Sequence, residues 1–266
     1  KEPVLVIGLG GAGIKLASEM RQVLGADSLK ISQEKKDVSE HNSVHISTNS
    51  IINPSVQLIR GCAMEQSEKI AEHISTYETV IIMANLAGKS GAALAPVVSS
   101  ICKEQNKNVL SFAIMPFKFE KDRIFQSGIS LKRLKINSDS TIIIDNDAVL
   151  DSNPDLNAEK CYDITNNAIK CLATSIKSSS LTDDTNILST SRSTENMEDS
   201  VKNSIRMLYE DAPPNSIKRS ILYVYGASKI PVGVINSISN ILGGIFDENN
   251  SEVCLLYTSP SPRDRG

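Results

Sequence analysis

The chain has 266 residues, a formal net charge of -3 and 40% hydrophobic residues. A compact chain of this length buries roughly 75% of its unfolded surface, so a large core is available. A slightly acidic balance disfavours an electrostatic nucleic-acid binder, which carries a basic surface. The composition therefore predicts a globular protein with no nucleic-acid partner.

The cysteines, the histidines and the length of the apolar runs disfavour three further kinds of protein: disulfide scaffolds, metal-binding proteins and membrane-spanning proteins. The five cysteines form no CxxC pair, and an odd count favours free thiols over a disulfide scaffold. The three histidines show no metal-ligand spacing, so we expect no protein metal site. The longest apolar runs are shorter than the roughly 20 residues that cross a bilayer, and no signal peptide opens the chain. We expect a soluble, cytoplasmic protein without direct membrane insertion.

Apolar runs alternate with helical patterns through the first two-thirds of the chain. The predicted strands are Val4–Ile7, Ser43–Ser47, Thr79–Met83, Val109–Met115 and Thr141–Ile144. The predicted helices are Gly11–Leu24, Glu65–Ser75, Leu94–Gln105, Lys121–Leu134 and a long central helix, Ala158–Ile176. Strands that are apolar on consecutive residues are buried on both faces. They predict an α/β fold, a parallel sheet with helices on both faces.

The remainder predicts a partial α+β second domain. A polar stretch, Lys177–Asn196, is typical of a linker or functional loop. A helix Ser200–Tyr209, a strand Ser220–Tyr225 and a helix Pro231–Leu242 follow. Both chain ends look cut, and the last dozen residues resemble a non-native tail. The predicted divisions are residues 1–157, the central helix 158–177, a partial domain 178–254 and the tail 255–266.

A glycine motif, Gly8-Leu9-Gly10-Gly11-Ala12-Gly13, follows the first strand and opens a helix. Glycines let a backbone approach a phosphate closely, and a helix N-terminus presents free N–H groups to an anion. Two other interpretations stay open: a dinucleotide-binding fold and a turn that serves only strand–helix packing. The first requires an acidic residue at the end of the second strand, where the predicted strand runs into Thr48-Asn49-Ser50.

A second glycine-bearing loop follows the third predicted strand. It runs over residues 84–93 and leads into a helix that contains Pro96-Val97-Val98. Two strand–loop–helix junctions of this kind can direct two helix N-termini at one polyphosphate. Gly88-Lys89-Ser90 is similar to the end of a Walker A motif, but no glycine stands five residues before Gly88. We therefore reject a Walker interpretation.

The order and spacing of five features resemble the FtsZ/tubulin family of filament-forming GTPases. They are the first loop Gly8–Gly13, the signature loop Ala87–Ala93, the Pro-Phe-x-Phe-Glu-like segment Met115–Glu120, the Asn-Asp turn Ile144–Asp147 and the helix segment Cys161–Asn166. Taken singly each has a plain structural explanation: Phe117 and Phe119 as core, Asn146 as a turn former, Tyr162 as a half-buried aromatic. Together, across roughly 160 residues, they are far more specific.

The resemblance implies GTP/GDP and Mg²⁺ as cofactors. It implies phosphate contacts from both loops, a ribose contact from Glu120 and a guanine contact from Asn146. Tyr162 would stack on the base and Asn166, on the same helix face at i+4, would bind its edge. The residues assigned to the phosphates are Gly8, Gly10, Gly11, Ala12, Gly13, Gly88, Lys89, Ser90 and Gly91.

Departures from the family pattern affect the same loops. Ala87, Lys89, Ala92 and Ala93 stand where the family has glycine or threonine. Lys89 either reaches a phosphate or is a solvated loop lysine. The glycine-rich γ-phosphate loop expected between Ile59 and Glu68 is reduced to residues 60–63, which predicts weaker sensing of the terminal phosphate.

The family hydrolyses GTP between subunits, with acidic residues in a loop after the central helix. The resemblance places Asp183 and Asp184 in this catalytic role, within residues 178–186. A Ser/Asp loop without catalysis is the alternative. The resemblance implies head-to-tail filaments, a membrane-tethering adaptor and a role in cell division or the cytoskeleton. A GTP-binding polymer with slow or no hydrolysis, and a Rossmann-type dinucleotide-binding oxidoreductase, remain as alternatives.

Overall fold

The computed structural model describes residues 3–38, 41–49, 51–147, 150, 155–176, 185–188, 196–211, 220–226, 232–245 and 251–257. The chain divides into two compact units. The first comprises residues 1–147 and 161–188, and the second comprises residues 148–160 and 189–266.

A sheet of seven parallel strands forms the centre of the first unit, within the described residues. The strands are β1 (Val4–Leu9), β2 (Asp27–Ser32), β3 (Ser43–His45), β4 (Thr79–Asn85), β5 (Asn108–Met115), β6 (Ser140–Asp145) and β7 (Thr185–Leu188). Their order is β3-β2-β1-β4-β5-β6-β7, and every neighbouring pair is parallel. The α/β prediction with a parallel sheet is confirmed.

Helices cover both faces of this sheet. They are α1 (Gly10–Leu24), α2 (Val56–Glu65), α3 (Ser67–Ile74), α4 (Lys89–Glu104), α5 (Lys121–Ile136) and α6 (Ala158–Ile176), with a 3-10 turn at Lys35–Val38. Leu5 and Ile7 of β1 join a core cluster that includes residues of α2 to α5. Val6, between them, is also fully buried because α1 packs on the opposite face. Burial on both faces explains the continuous apolar runs of the central strands.

Besides the 3-10 turn, three elements of this unit were absent from the prediction: β2, α2 and β7, the last of which lies in the stretch predicted as a linker or loop. β2 alternates polar and apolar residues, with Lys30 between the buried Leu29 and Ile31, so it has no continuous apolar run. α2 precedes α3 where a single helix, Glu65–Ser75, was predicted. The central helix α6 begins and ends at the predicted residues.

The second unit contains two helices and a short sheet among its described residues. The helices are α7 (Met197–Asp211) and α8 (Val232–Ile245), and the strands are β8 (Ser220–Gly226) and β9 (Ser251–Tyr257), which pair in parallel. Val201 and Ile205 pack with Ile238 and Leu242 in a small core. β9 includes residues 255–257, which we expected to lie outside the fold; residues 253–257 are apolar in succession, the pattern of a strand. Residues 258–266 of the predicted tail lie outside the described part.

None of the helices in the described part of the chain is both long and apolar enough to span a bilayer.

Candidate functional site

The site lies where the strand order of the sheet reverses. β1 has β2 on one side and β4 on the other, and Leu9 at its end pairs with Ala84 of β4. The chain leaves β1 into α1 and leaves β4 towards α4. Ligands of open α/β sheets bind outside the carboxyl ends of the strands at such a reversal. The two glycine loops predicted from the sequence therefore meet at one edge of the sheet.

The loops are in direct contact through Gly10 and Ser90. Gly10 has φ +68°, a backbone conformation that favours glycine. A Cβ atom at Gly10 would lie 2.8 Å from the Cβ atom of Ser90, closer than two such atoms approach. Gly11 is also tightly placed, since its Cβ would lie 3.3 Å from a carboxylate oxygen of Asp37. Glycine at these positions lets the two helix N-termini converge.

Neither helix N-terminus has a side-chain cap. The N-cap residues are Leu9 for α1 and Gly88 for α4, and neither makes a side-chain capping hydrogen bond. The first turn of each helix contains no acidic residue. Free backbone N–H groups and the positive ends of two helix dipoles suit an anion, and here both point to one region.

A cavity of about 770 Å³ opens at this convergence. Cavities that hold cofactors and other small molecules have volumes of roughly 300 to 1,000 Å³. Its lining includes Gly10, Gly11 and Ala12 of the first loop and Gly88, Lys89, Ser90 and Gly91 of the second. The other lining residues are Leu9, Gln33, Glu34, Lys35, His45, Ser47, Thr48, Ile51, Ile52, Asn53, Pro54, Asn85 and Arg123.

Three cationic side chains stand around the cavity: Lys35, Lys89 and Arg123. The ammonium of Lys89 donates a hydrogen bond to Oδ1 of Asn53 at 2.5 Å, which joins the second loop to the segment after β3. Arg123 forms an ion pair with Glu120 at 2.7 Å. Glu34 is the one carboxylate on the lining. The balance of charge at the cavity is therefore positive, although the chain as a whole is slightly acidic.

Gly8 and Gly13 lie beneath the cavity and do not line it. A Cβ at Gly13 would lie 2.4 Å from the carbonyl oxygen of Met83. A Cβ at Gly8 would lie 2.5 Å from Cα of Ile14. Both glycines thus serve the close packing of α1 against β1 and β4. The packing interpretation of the motif applies to these two positions, while Gly10 and Gly11 face the cavity.

The predicted ribose and base contacts are absent from the cavity lining: Glu120, Asn146, Tyr162 and Asn166. The carboxylate of Glu120 accepts a hydrogen bond from the backbone N–H of Phe117 at 3.1 Å, in addition to its ion pair with Arg123. The ring of Tyr162 contacts Phe117 edge-on, with centroids 5.5 Å apart. Burial raises the pKa of Tyr162, and the nearby Glu120 carboxylate raises it further. Phe117, Glu120 and Tyr162 thus form one cluster beside Arg123, which does line the cavity.

Phe117 of this cluster and the nearby Phe119 differ in exposure. Their rings stack with centroids 5.1 Å apart, but Phe117 is 1% exposed and Phe119 is 65% exposed. Phe117 is a core residue, as its plain structural explanation requires. Phe119 is a surface residue and does not fit that explanation.

Asn146 follows β6 and is 1% exposed. Its side-chain nitrogen and oxygen have no hydrogen-bond partner within the described part of the chain. A buried amide without partners is unfavourable by about 1–3 kcal/mol per group, so such groups are rare in folded proteins. A turn former would use its side chain locally. The orphaned amide of Asn146 lies at the carboxyl end of β6 and does not line the cavity.

The remaining predicted site features fall elsewhere. Asp183 and Asp184 lie outside the described residues, and residues 185–186 of the proposed catalytic loop belong to β7. The prediction of a γ-phosphate loop at residues 60–63 was wrong, because these residues are within α2. Residues 47, 48 and 51–54, between β3 and α2, line the cavity instead. Among the described side chains no group of three or more His, Cys, Asp or Glu could hold a metal ion.

Sequence reasoning missed Asn53 and Arg123. Asn53 precedes a proline and has φ +57°, and an Asn-Pro pair is a turn signal that could have identified this segment. Arg123 stands three residues after Glu120 in a predicted helix, a spacing that brings opposite charges together. The misassignment of the second strand also hid Glu34. It lies two residues beyond the end of β2, where a dinucleotide-binding fold places its acidic residue.

Comparisons with known proteins separate the remaining interpretations, because the strand order also suits a dinucleotide-binding fold. Residues 54–154 match the family model described as Tubulin/FtsZ family, GTPase domain. Cell division protein FtsZ 2 of Halobacterium salinarum is 28% identical over 173 residues, which is 60% of this chain and 43% of that protein. The matched segment thus spans less than half of that relative.

Solved structures agree in fold. An FtsZ mutant from M. jannaschii superimposes with a TM-score of 0.75 at 19% identity, covering 97% of this chain and 87% of the other. An empty FtsZ dimer from M. jannaschii gives a TM-score of 0.72 at 18% identity, with 98% and 85% covered. Residues 54–154 are therefore similar to the Tubulin/FtsZ GTPase domain, and the chain has the fold of the FtsZ structures.

Proposed function

We propose that this chain binds a guanine nucleotide in the 770 Å³ cavity and acts as a cytoskeletal cell-division protein. The contact of Gly10 with Ser90 carries the proposal, since it brings two uncapped helix N-termini to one place. Backbone N–H groups of both loops bind the phosphates, and Lys89 adds a positive charge. The match of residues 54–154 to the Tubulin/FtsZ GTPase domain supports guanine as the base.

In this proposal the base extends past the cavity lining and is held by Asn146, Tyr162 and Asn166, none of which lines the cavity. The unpartnered amide of Asn146 supports this assignment, because guanine offers it both a donor and an acceptor. Tyr162 and Asn166 lie one turn apart on α6, so their side chains share a face. Glu120 contacts the ribose while its carboxylate retains the bonds to Phe117 and Arg123.

We further propose that the chain assembles head to tail and hydrolyses GTP between subunits. Contacts of this kind do not close into a ring unless the rotation fits, so they generate filaments. Asp183 and Asp184 of one subunit would orient water on the nucleotide of the next. Mg²⁺ would be held by the phosphate oxygens, since the described residues give it no carboxylate cluster. A membrane-tethering adaptor completes the proposed assembly.

Two alternatives are favoured by specific observations. Lys89 and the alanines of the second loop favour a polymer that binds GTP and hydrolyses it slowly or not at all. Glu34, beyond the end of β2 and on the cavity lining, favours an oxidoreductase that binds a dinucleotide. A thermal-shift assay separates the second alternative: stabilisation by NAD but not GTP would contradict the guanine-nucleotide proposal.

Sedimentation with GTP and Mg²⁺, with GDP and Mg²⁺, and without nucleotide tests assembly. We expect pelleting with GTP only; equal pelleting in all three samples would contradict nucleotide-dependent assembly. Phosphate release by an Asp183→Ala/Asp184→Ala double variant tests hydrolysis. Loss of release with retained GTP binding supports the catalytic assignment. Unchanged phosphate release would overturn the catalytic assignment. If the unaltered chain assembles normally but releases no phosphate, the alternative of a polymer that hydrolyses GTP slowly or not at all is favoured.

A further inference from the structure

We propose that Lys89 selects the nucleoside triphosphate over the diphosphate by exchanging its hydrogen bond with Asn53 for one to the outermost phosphate. This inference rests on the proposed guanine-nucleotide site and assigns a specificity role that the backbone loops cannot supply. Lys89 stands where the family pattern carries glycine or threonine. The role of Lys89 therefore depends on the contacts that this residue makes in this chain.

The ammonium of Lys89 lies apart from the N-terminus of its own helix. Lys89 is the first residue of α4, so its backbone belongs to the helix end that faces the cavity. Its side chain extends to the segment after β3, where Nζ donates to Oδ1 of Asn53 at 2.5 Å. The backbone N–H groups and the ammonium thus face the cavity from two separate places. A chain of phosphates that begins at the helix N-termini can reach both.

Asn53 is a weak partner for the Lys89 ammonium. The amide oxygen of Asn53 is neutral, and no carboxylate among the described residues forms an ion pair with Lys89. An ammonium has three donors, of which this bond uses one. The bond to Asn53 has one charged partner, whereas a bond to a phosphate oxygen has two and gains the Coulomb attraction between them. A phosphate oxygen therefore attracts the ammonium more strongly than Asn53 does, and Lys89 leaves Asn53 when it moves towards that oxygen.

The terminal phosphate is the one that Lys89 would bind. The terminal phosphate of a nucleotide carries a second ionisation with a pKa of about 6, so it holds the greatest charge at neutral pH. Neutral N–H groups can bind the inner phosphates, but an added point charge is most effective at the terminal one. GDP also ends in such a phosphate, so reach makes the difference: the triphosphate extends farther from the helix ends than the diphosphate does. Lys89, at the end of a long side chain, therefore favours the triphosphate.

The exchange also predicts opposite effects of substitutions at the two residues. Removing the Lys89 charge should weaken GTP binding. Removing the Asn53 side chain should preserve or strengthen GTP binding, because Lys89 no longer has to leave a partner. If the bond were only a structural link between the two segments, both substitutions would weaken binding alike.

The experiment measures the dissociation constants of GTP and GDP by isothermal titration on the full chain, with Mg²⁺ and with EDTA. Lys89→Gln removes the charge, and Lys69→Gln, at an exposed position on α3, is the matched control. Asn53→Gly removes the side chain and tolerates φ +57°. Asn49→Gly, at the exposed residue with φ +52°, is its control.

We expect Lys89→Gln to weaken GTP binding about tenfold and GDP binding by less than threefold, as for the loss of one charged hydrogen bond. In EDTA the GTP loss should increase, because no cation replaces the missing charge. Asn53→Gly should bind GTP at least as tightly as the unaltered chain. The controls Lys69→Gln and Asn49→Gly should bind both nucleotides as the unaltered chain does. Equal losses for GTP and GDP in Lys89→Gln, or a loss in Asn53→Gly equal to that in Lys89→Gln, would overturn the inference. Failure of the unaltered chain to bind either nucleotide would instead refute the proposed function.

Discussion

Gly10 and Ser90 are 80 positions apart in the sequence, yet a Cβ atom on Gly10 would lie 2.8 Å from that of Ser90. The contact joins the first turn of α1 to the first turn of α4. It exists because β1 and β4 are paired neighbours, with Leu9 opposite Ala84. This single contact places two helix N-termini around one cavity.

Gly10→Ala should therefore disrupt both the fold and the site. The substitution combines a left-handed backbone with a steric conflict, so we expect the free energy of unfolding to fall by about 1–3 kcal/mol. Displacement of the first turn should also weaken GTP binding. Urea unfolding and isothermal titration measure the two effects.

Gly61→Ala is the matched control for this prediction. Gly61 lies in α2, and a Cβ there meets no atom within 4 Å. Alanine should raise the free energy of unfolding by up to about 1 kcal/mol and leave GTP binding unchanged. Equal stability of Gly10→Ala and the unaltered chain would contradict the close contact.

Asn146→Leu should separate stability from binding. Leucine has a similar shape and removes a buried amide that has no partner among the described residues. The free energy of unfolding should therefore stay the same or rise. Guanine-nucleotide binding should weaken at least about tenfold, since a base would lose its hydrogen bonds. Reduced stability together with unchanged binding would show that Asn146 has a structural role only.

Tyr162 offers a comparison between packing and polar chemistry. Its ring contacts Phe117 edge-on, an arrangement that contributes about 0.5–1.5 kcal/mol beyond burial. Tyr162→Ala should lower stability and weaken GTP binding through lost stacking. Tyr162→Phe keeps the ring and should retain both properties. If Tyr162→Ala lowers stability but binds GTP normally, Tyr162 serves the aromatic packing and does not contact the base.

Cys102 should make stability depend on pH in the alkaline range. It is fully buried in α4, and burial raises the pKa of its thiol from 9.0 to about 12. The unfolded chain loses this proton near pH 9, while the folded chain keeps it until pH 12. The contribution is therefore present below pH 9 and is lost as the pH rises towards 12.

Urea unfolding at pH 8 and pH 10 tests this effect. Between these values the thiol should reduce the free energy of unfolding by about 1 kcal/mol. Cys102→Ala should lower the free energy of unfolding at both pH values, because it leaves a cavity. Between pH 8 and pH 10, however, the variant should lose about 1 kcal/mol less than the unaltered chain, since it lacks the thiol. The same decrease in both proteins would contradict the raised pKa.

The sequence alone determined the fold class, because the central strands carry apolar residues in succession and only a sheet covered on both faces buries them all. It also determined both glycine loops and the ends of α6, where the local pattern is strong. β2 escaped detection, since one alternating Lys30 interrupts its apolar pattern. That error also misplaced the acidic residue used to judge a dinucleotide-binding fold.

Only the tertiary structure decided how the glycines divide their roles. Gly8, Gly10 and Gly13 belong to one motif, but Gly10 faces the cavity while Gly8 and Gly13 pack beneath it. The pairing of Lys89 with Asn53 and the orphaned amide of Asn146 depend on strand order and burial, which act between distant segments. A sequence pattern records the local preferences of a segment. It does not record which other segment the sheet places beside it.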